Sequence, residues 1–251
     1  MASKNINSIL LTKISQNTIG GCLILQHNTC TMKNIFFVLP LLFCSSISCQ
    51  NNNTQNTKQQ AVINAKPIEV PPENGIAKAY FASGCFWCVE AVYESVHGVQ
   101  EAISGYAGGF TDNPTYALSN TGRTGHAEAV EVLYDPSVVS FATLVDVYFG
   151  SQNVAQVNGQ GPDRGSQYRS IIFYQNEEQK AIILKKKAAI AKAQKVTVAA
   201  EVYPFQKFWK AEAYHQNYER LHPNNPYVRN VSIPRLRRFQ AKFPHLLKAN
   251  H

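Results

Sequence analysis

An α+β two-layer sandwich is the fold this sequence predicts. Three observations lead there: strand and helix periodicities alternate between residues 76 and 221, the strands are few, and two consecutive ones are joined without a helix. A doubly wound parallel sheet would need a crossover at each such junction. With 251 residues, 45% hydrophobic and 16% charged, the chain makes one globular domain with an appendage, or two small domains.

The appendage is at the front. Residues 1–31 read as an upstream extension, with Met32 as the true start. Met32-Lys33-Asn34 precedes an apolar run over 35–43, the charged and hydrophobic regions of a secretory signal and too short to span a membrane. Ser45-Ser46-Ile47-Ser48 follow, then Cys49. This resembles a bacterial lipoprotein signal over residues 32–49, although Ser46 stands where an aliphatic residue is commoner. The resemblance implies that Cys49 is the lipidated first residue and that the protein sits in the cell envelope, on a periplasmic or outer-membrane face. Attachment would then be through the lipid alone. Residues 50–75 are polar, nearly uncharged at first and later marked by Pro67, Pro71 and Pro72, the composition of a disordered tether.

The catalytic domain is placed at residues 76–230. Residues 76–82 are short and apolar, a buried strand. Ser83 and Gly84 turn the corner, with Ser83 as candidate N-cap. Val89, Val92, Tyr93 and Val96 then recur at one helical face. Residues 99–106 alternate loosely and end at Gly108-Gly109, a strand and turn. A polar loop over 111–125 is long enough to be suspected of function. Residues 126–134 form a second strand ending at Asp135-Pro136, and 141–149 a short amphipathic helix. After a Gly-rich loop over 153–167 come a strand at 168–174, a helix at 177–195, a strand at 196–202 and a helix at 207–221. The basic residues of 231–251 read as a solvated tail. No nucleic-acid motif accompanies them, so no nucleic-acid partner is expected.

The chemistry lies in Gly84-Cys85-Phe86-Trp87-Cys88-Val89-Glu90. The other cysteines, Cys22, Cys30, Cys44 and Cys49, all fall in the first fifth, so Cys85 and Cys88 stand as an isolated pair rather than part of a disulfide framework. At a helix start Cys85 would be favoured as a thiolate, and Cys88 lies one turn on, within reach of a disulfide. A C-x-x-C pair is also half of a zinc site. Four ligands are needed, however, and neither further cysteines nor histidines at ligand spacing follow, so no metal is expected.

The motif resembles the active-site string of the peptide methionine sulfoxide reductases of the A type. Asn113-Pro114-Thr115-Tyr116, Gly125-His126-Ala127-Glu128-Ala129-Val130 and the stretch 161–170 (Gly-Pro-Asp-Arg-Gly-Ser-Gln-Tyr-Arg-Ser) resemble that family's other signature segments, in order, over about residues 77–225. The resemblance implies a ferredoxin-like plait. It also implies thiol-dependent reduction of the S-epimer of methionine sulfoxide, free or in proteins, with no bound cofactor and a thioredoxin-like protein or dithiol as external reductant. A monomer is expected.

By the same resemblance Cys85 is the nucleophile, and Tyr116 and Tyr168 bond the sulfoxide oxygen. Asp163 supports the site through water. Phe86 and Trp87 seat the S-methyl group, although both could instead be core aromatics. Glu128, between two alanines in an apolar strand, is where a carboxyl would be desolvated and held protonated, and it is the expected acid. Its alternative is an outward-facing strand residue, as expected of Glu131. Glu90 is read as a structural partner. Many relatives carry resolving cysteines in a C-terminal tail. This chain has none after Cys88, and Cys88 replaces their usual glycine, so Cys88 is inferred to resolve the Cys85 sulfenic acid. The rivals are a thioredoxin-type dithiol-disulfide oxidoreductase and a tethered binding module with structural cysteines.

Overall fold

The computed structural model describes residues 45–249, with side chains from residue 53 onward. The extension (1–31) and most of the signal (32–49) lie outside the described residues, as does the side chain of Cys49. The helices are α1 (Ser45–Ile63), α2 (Phe86–Glu94), α3 (Tyr116–Ser119), α4 (Phe141–Gly150), α5 (Glu177–Gln194), α6 (Tyr218–Leu221) and α7 (Ile233–Lys242). The strands are β1 (Ala77–Ala82), β2 (Val99–Ala107), β3 (Ala127–Tyr134), the short pair β4 (Gly159–Gln160) and β5 (Asp163–Arg164), then β6 (Ile171–Tyr174), β7 (Glu201–Pro204) and β8 (Phe208–Lys210).

Six strands form one mixed sheet in the order β7-β6-β1-β3-β2-β8. Every neighbouring pair is antiparallel except β6 with β7. β1 is central because both its faces are buried, and its alternation divides the core. Ala79 and Phe81 point into the main apolar cluster, where α2, α4, α5 and α7 contribute Val92, Leu144, Ile183 and Phe239. Tyr80 and Ala82 point into a smaller cluster on the other face, closed by Tyr203, Phe205, Phe208, Ile63 and Val70. The α+β class is therefore as expected.

Several expectations are corrected. The 207–221 segment is not one helix. It makes β8, a single 3₁₀ turn over Ala213–His215, and the one-turn α6. Tertiary bonding overrides its local pattern: Lys210 pairs with Gly105, whose missing side chain leaves room for the Phe208 ring, and Gln216 bonds both the N–H and C=O of Ser104. The strand expected at 168–174 begins only at Ile171, with Tyr168 in a 3₁₀ turn, and that expected at 196–202 is shifted to Glu201–Pro204.

Residues 50–75 do not form a slack tether. α1 covers the first part, and the Gln59 side chain donates to Gly108 O. Ile68 and Val70 donate their N–H groups to Phe205 O and the Gln175 side chain. Nor is 231–251 a solvated tail, because α7 packs on α2 with Phe239 and Arg235 buried, and Leu247 bridges to Val96.

Candidate active site

The corner between β1 and α2 is set by Gly84, at φ +76°, where a Cβ would stand 2.5 Å from Gln160 Cβ. Only glycine permits both that backbone and that approach. Cys85 follows as the N-cap residue of α2, without a side-chain capping bond. Ser83 is thus not the cap: its hydroxyl donates to Gln152 Oε1 and accepts from Arg235.

Cys85 and Cys88 are both buried, free and hydrogen-bonded to one another. The thiolate expected at Cys85 is not what this environment favours. Burial, with Cys88 and Glu128 as neighbours, pushes the Cys85 thiol well up. Cys88 is pulled down to about 7, first by the hydrogen bond from Cys85 and, against its own burial, by the Arg235 charge.

Glu128 faces inward from β3, 2% exposed, and its Oε2 accepts the Phe86 N–H at 3.0 Å. Burial raises it to about 8; the Phe86 N–H opposes that shift, while Asp163 and Cys88 add to it. A carboxyl in this position holds its proton at neutral pH. Glu131, of opposite parity, accepts the Tyr80 hydroxyl at 2.9 Å and pairs with Lys78 on a half-exposed rim.

The remaining predicted residues converge on the same place. Tyr116 opens α3, where Thr115 caps through Leu118 N–H, and its own N–H is held by Glu212 at 2.9 Å. Tyr116 and Tyr168 are hydrogen-bonded to each other, and the charges of Glu128 and Cys85 act on both. Asp163 Oδ2 accepts the Tyr227 hydroxyl at 2.6 Å. Phe86 is fully buried, its ring 6.4 Å from Tyr116 and 4.8 Å from His215. Trp87 is half-buried, stacked on Tyr218 at 3.7 Å, with its indole N–H donated to His215 Nδ1. Glu90 is buried and accepts Ser104 Oγ and the Asn217 N–H, a structural partner as expected.

Sequence reasoning missed three residues. Tyr227 bonds Asp163 and lies 3.7 Å from Cys88 Sγ. Arg235 grips Ser83 O and Oγ at 2.8 and 2.9 Å and Ser151 O at 2.9 Å. His215 carries the Trp87 bond. The cluster Glu212 to Gln216, dense in polar groups, was a signal for His215. Nothing local marks the other two. Among the described residues no cluster of metal-ligating side chains occurs.

The site combines a buried dithiol, an adjacent protonated carboxyl, two phenols and an aromatic wall. Such an arrangement can attack a polarised sulfur centre, protonate its oxygen and close a disulfide. The sequence pattern of the family described as peptide methionine sulfoxide reductase matches residues 77–247. A peptide methionine sulfoxide reductase of Pasteurella multocida is 45% identical over 171 residues, 68% of this chain and 98% of that protein. One from Thermus thermophilus is 42% identical over 170 residues, covering 68% and 97%. Among solved structures, Mxr1 of Saccharomyces cerevisiae in its reduced form aligns at TM-score 0.57 and 29% identity, over 65% of this chain and 94% of that one. Methionine sulfoxide reductase A of Corynebacterium diphtheriae aligns at 0.54 and 32%, over 64% and 83%. Site and similarity agree, and the chain belongs to the peptide methionine sulfoxide reductase family.

Proposed function

We propose that this protein reduces the S-epimer of methionine sulfoxide, free or within proteins, and so repairs oxidised methionine. The observation that carries the reading is the buried Glu128 carboxyl, held protonated beside Cys85 and tied to the helix start by the Phe86 N–H. Cys85 Sγ attacks the sulfoxide sulfur while Glu128 protonates the oxygen. The thiol proton of Cys85 restores Glu128, the oxygen passes to Cys85, and methionine leaves. The sum is thiol plus sulfoxide giving sulfenic acid plus thioether. Tyr116 and Tyr168 donate to the oxygen, and Phe86 and Trp87 seat the methyl group.

Cys88 then attacks the Cys85 sulfenic acid, forming a disulfide and releasing water. The lowered Cys88 thiol and its hydrogen bond to Cys85 support this role. A thioredoxin-like dithiol returns the pair to thiols. The yeast Mxr1 has been solved "in complex with Trx2", which names the class of donor for that protein. Family membership disfavours the thioredoxin-type and structural-cysteine rivals. The test is a single turnover without reductant on peptides carrying each sulfoxide epimer. One methionine per enzyme from the S-epimer alone is expected; no methionine, or equal release from both epimers, refutes the reading.

Finer readings accompany it. The central order β6-β1-β3-β2, antiparallel throughout and with α2 crossing between β1 and β2, supports a ferredoxin-like plait. The protein is read as a monomer, since one chain supplies every site residue. The Cys49 anchor and the envelope location rest on the sequence of residues 32–49; detergent partitioning that is identical for wild type and Cys49→Ala would refute them. No helix among the described residues is long and apolar enough to cross a membrane.

A further inference from the structure

Cys88 has a second neighbourhood that sulfoxide reduction does not use. It lines a cavity of about 730 Å³ between the 150–163 segment and α7; Cys85 does not line it. Arg235, Arg238 and Lys242 line the cavity against one carboxylate, Asp163, which already accepts the Tyr227 hydroxyl. The donors of Arg235 go to Ser83 and Ser151 oxygens, all uncharged, so no carboxylate neutralises it directly. Arg238 and Lys242 are exposed, and among the described residues neither forms an ion pair.

A basic wall beside a disulfide sulfur selects its visitor. The group that reduces a disulfide is a thiolate, and a cleft lined by one sign of charge concentrates ligands of the other. We propose that this cavity admits the electron donor: an anionic thiol, carried by a protein or a small molecule, enters between Arg238 and Lys242 and attacks Cys88 Sγ of the Cys85–Cys88 disulfide. The inference rests on the function proposed above, which forms that disulfide.

In this step the donor sulfur bonds Cys88 Sγ, the Cys85–Cys88 bond breaks, and its electron pair goes to Cys85 Sγ. Cys85 takes its proton from Glu128, protonated up to about pH 8. The donor's second thiol, or a second donor molecule, then frees Cys88 as the donor's disulfide. Leaving-group chemistry alone points the other way, since the lower-pKa thiol departs faster and Cys88 is the lowered one. Exposure alone would not decide against it, with Cys85 6% and Cys88 2% exposed. The charge of the cavity does, because Cys88 lines that basic cavity and Cys85 does not. Protonation by Glu128 offsets the handicap of Cys85 as a leaving group.

The test oxidises the full-length protein with one equivalent of a methionine sulfoxide peptide and no reductant. Methionine release in this step reports on the proposed function; without it, that reading fails before the cavity is tested. The oxidised protein is then mixed with 3-mercaptopropionate, 2-mercaptoethanol or cysteamine, quenched in acid, alkylated and fragmented. Early samples should carry the small thiol on Cys88 and the alkyl group on Cys85. Rate constants per thiolate should fall roughly tenfold from the anionic to the cationic reagent at low salt. They should converge at 1 M salt, where the screening length is about 3 Å. The order should reverse in the exposed-site double variant Arg238→Glu/Lys242→Glu. A thioredoxin with its buried active-site cysteine replaced by serine tests protein donors with the same readout. The small thiol on Cys85, or rates indifferent to charge and to the two substitutions, overturns the proposal.

Discussion

The backbone N–H of Phe86 is donated to Glu128 Oε2 at 3.0 Å, so the peptide unit following the nucleophile is fastened to the acid. The strand that carries the proton and the helix that carries the thiol cannot move independently. Glu128→Gln keeps this bond and removes only the proton. Its first turnover should slow by about two to four orders of magnitude, the range for a positioned acid. Stopped-flow methionine release at neutral pH measures it, and a rate near wild type would assign the acid elsewhere.

Two groups set opposite pH limits. Glu128 works protonated, so the first turnover should decline as pH rises through about 8. Cys88 works as a thiolate, so disulfide closure should accelerate as pH rises through about 7. Separate measurement of methionine release and thiol loss should therefore give curves of opposite slope.

The same carboxyl affects stability. Its folded pKa lies above the ordinary 4.5, so its contribution is complete below that value and is lost as pH rises through about 8. Glu128→Gln should melt higher than wild type at pH 9, and the advantage should vanish near pH 4. Thermal scans at the two pH values check this.

Cys85→Ser should abolish all turnover, whereas Cys88→Ser should release about one methionine and stop with a trappable sulfenic acid. Steady-state activity of Cys88→Ser with thioredoxin should fall sharply and with excess small thiol should fall less. Normal cycling of that variant with thioredoxin would make Cys88 a packing residue.

Tyr227→Phe removes the hydroxyl donated to Asp163 and leaves the ring. That bond favours the ionised carboxylate, so its loss should move Asp163 to higher pKa, which infrared titration of the carboxyl in the variant against wild type checks. Arg235→Met strands two oxygens of Ser83 and that of Ser151, costing about 3 kcal/mol. Arg235→Lys should restore the pH midpoint of disulfide closure more fully than the melting temperature, since it keeps the charge and loses the fork.

What the sequence made legible was local. Cys85, Cys88 and Glu128 lie in short strings whose residue types announce their chemistry, and β1, α2 and β3 around them follow plain periodicities. Tyr227 and Arg235 were invisible because they reach Cys88 and Ser83 from 139 and 152 residues away, within a segment whose basic composition suggests solvent. The 207–221 segment misled for a related reason. Its apolar spacing suits a helix, but Gln216 and Phe208 bond and pack against β2, a preference written in β2 rather than in the segment itself. Residues 50–75 looked disordered because they are polar, and they order by lending a few contacts, such as Gln59 to Gly108, to a surface already formed.

The grip of Arg235 on Ser83 has a consequence during synthesis. The dithiol and its corner residue Ser83 leave the ribosome early, and the guanidinium that grips Ser83 follows 152 residues after it. At usual elongation speeds that interval is roughly 8–30 s. Until then the nascent chain carries two cysteines without the geometry that makes them a catalyst, and a product cut short before α7 retains the motif without its clamp. Released chains ending before and after α7 should differ in thiol labelling.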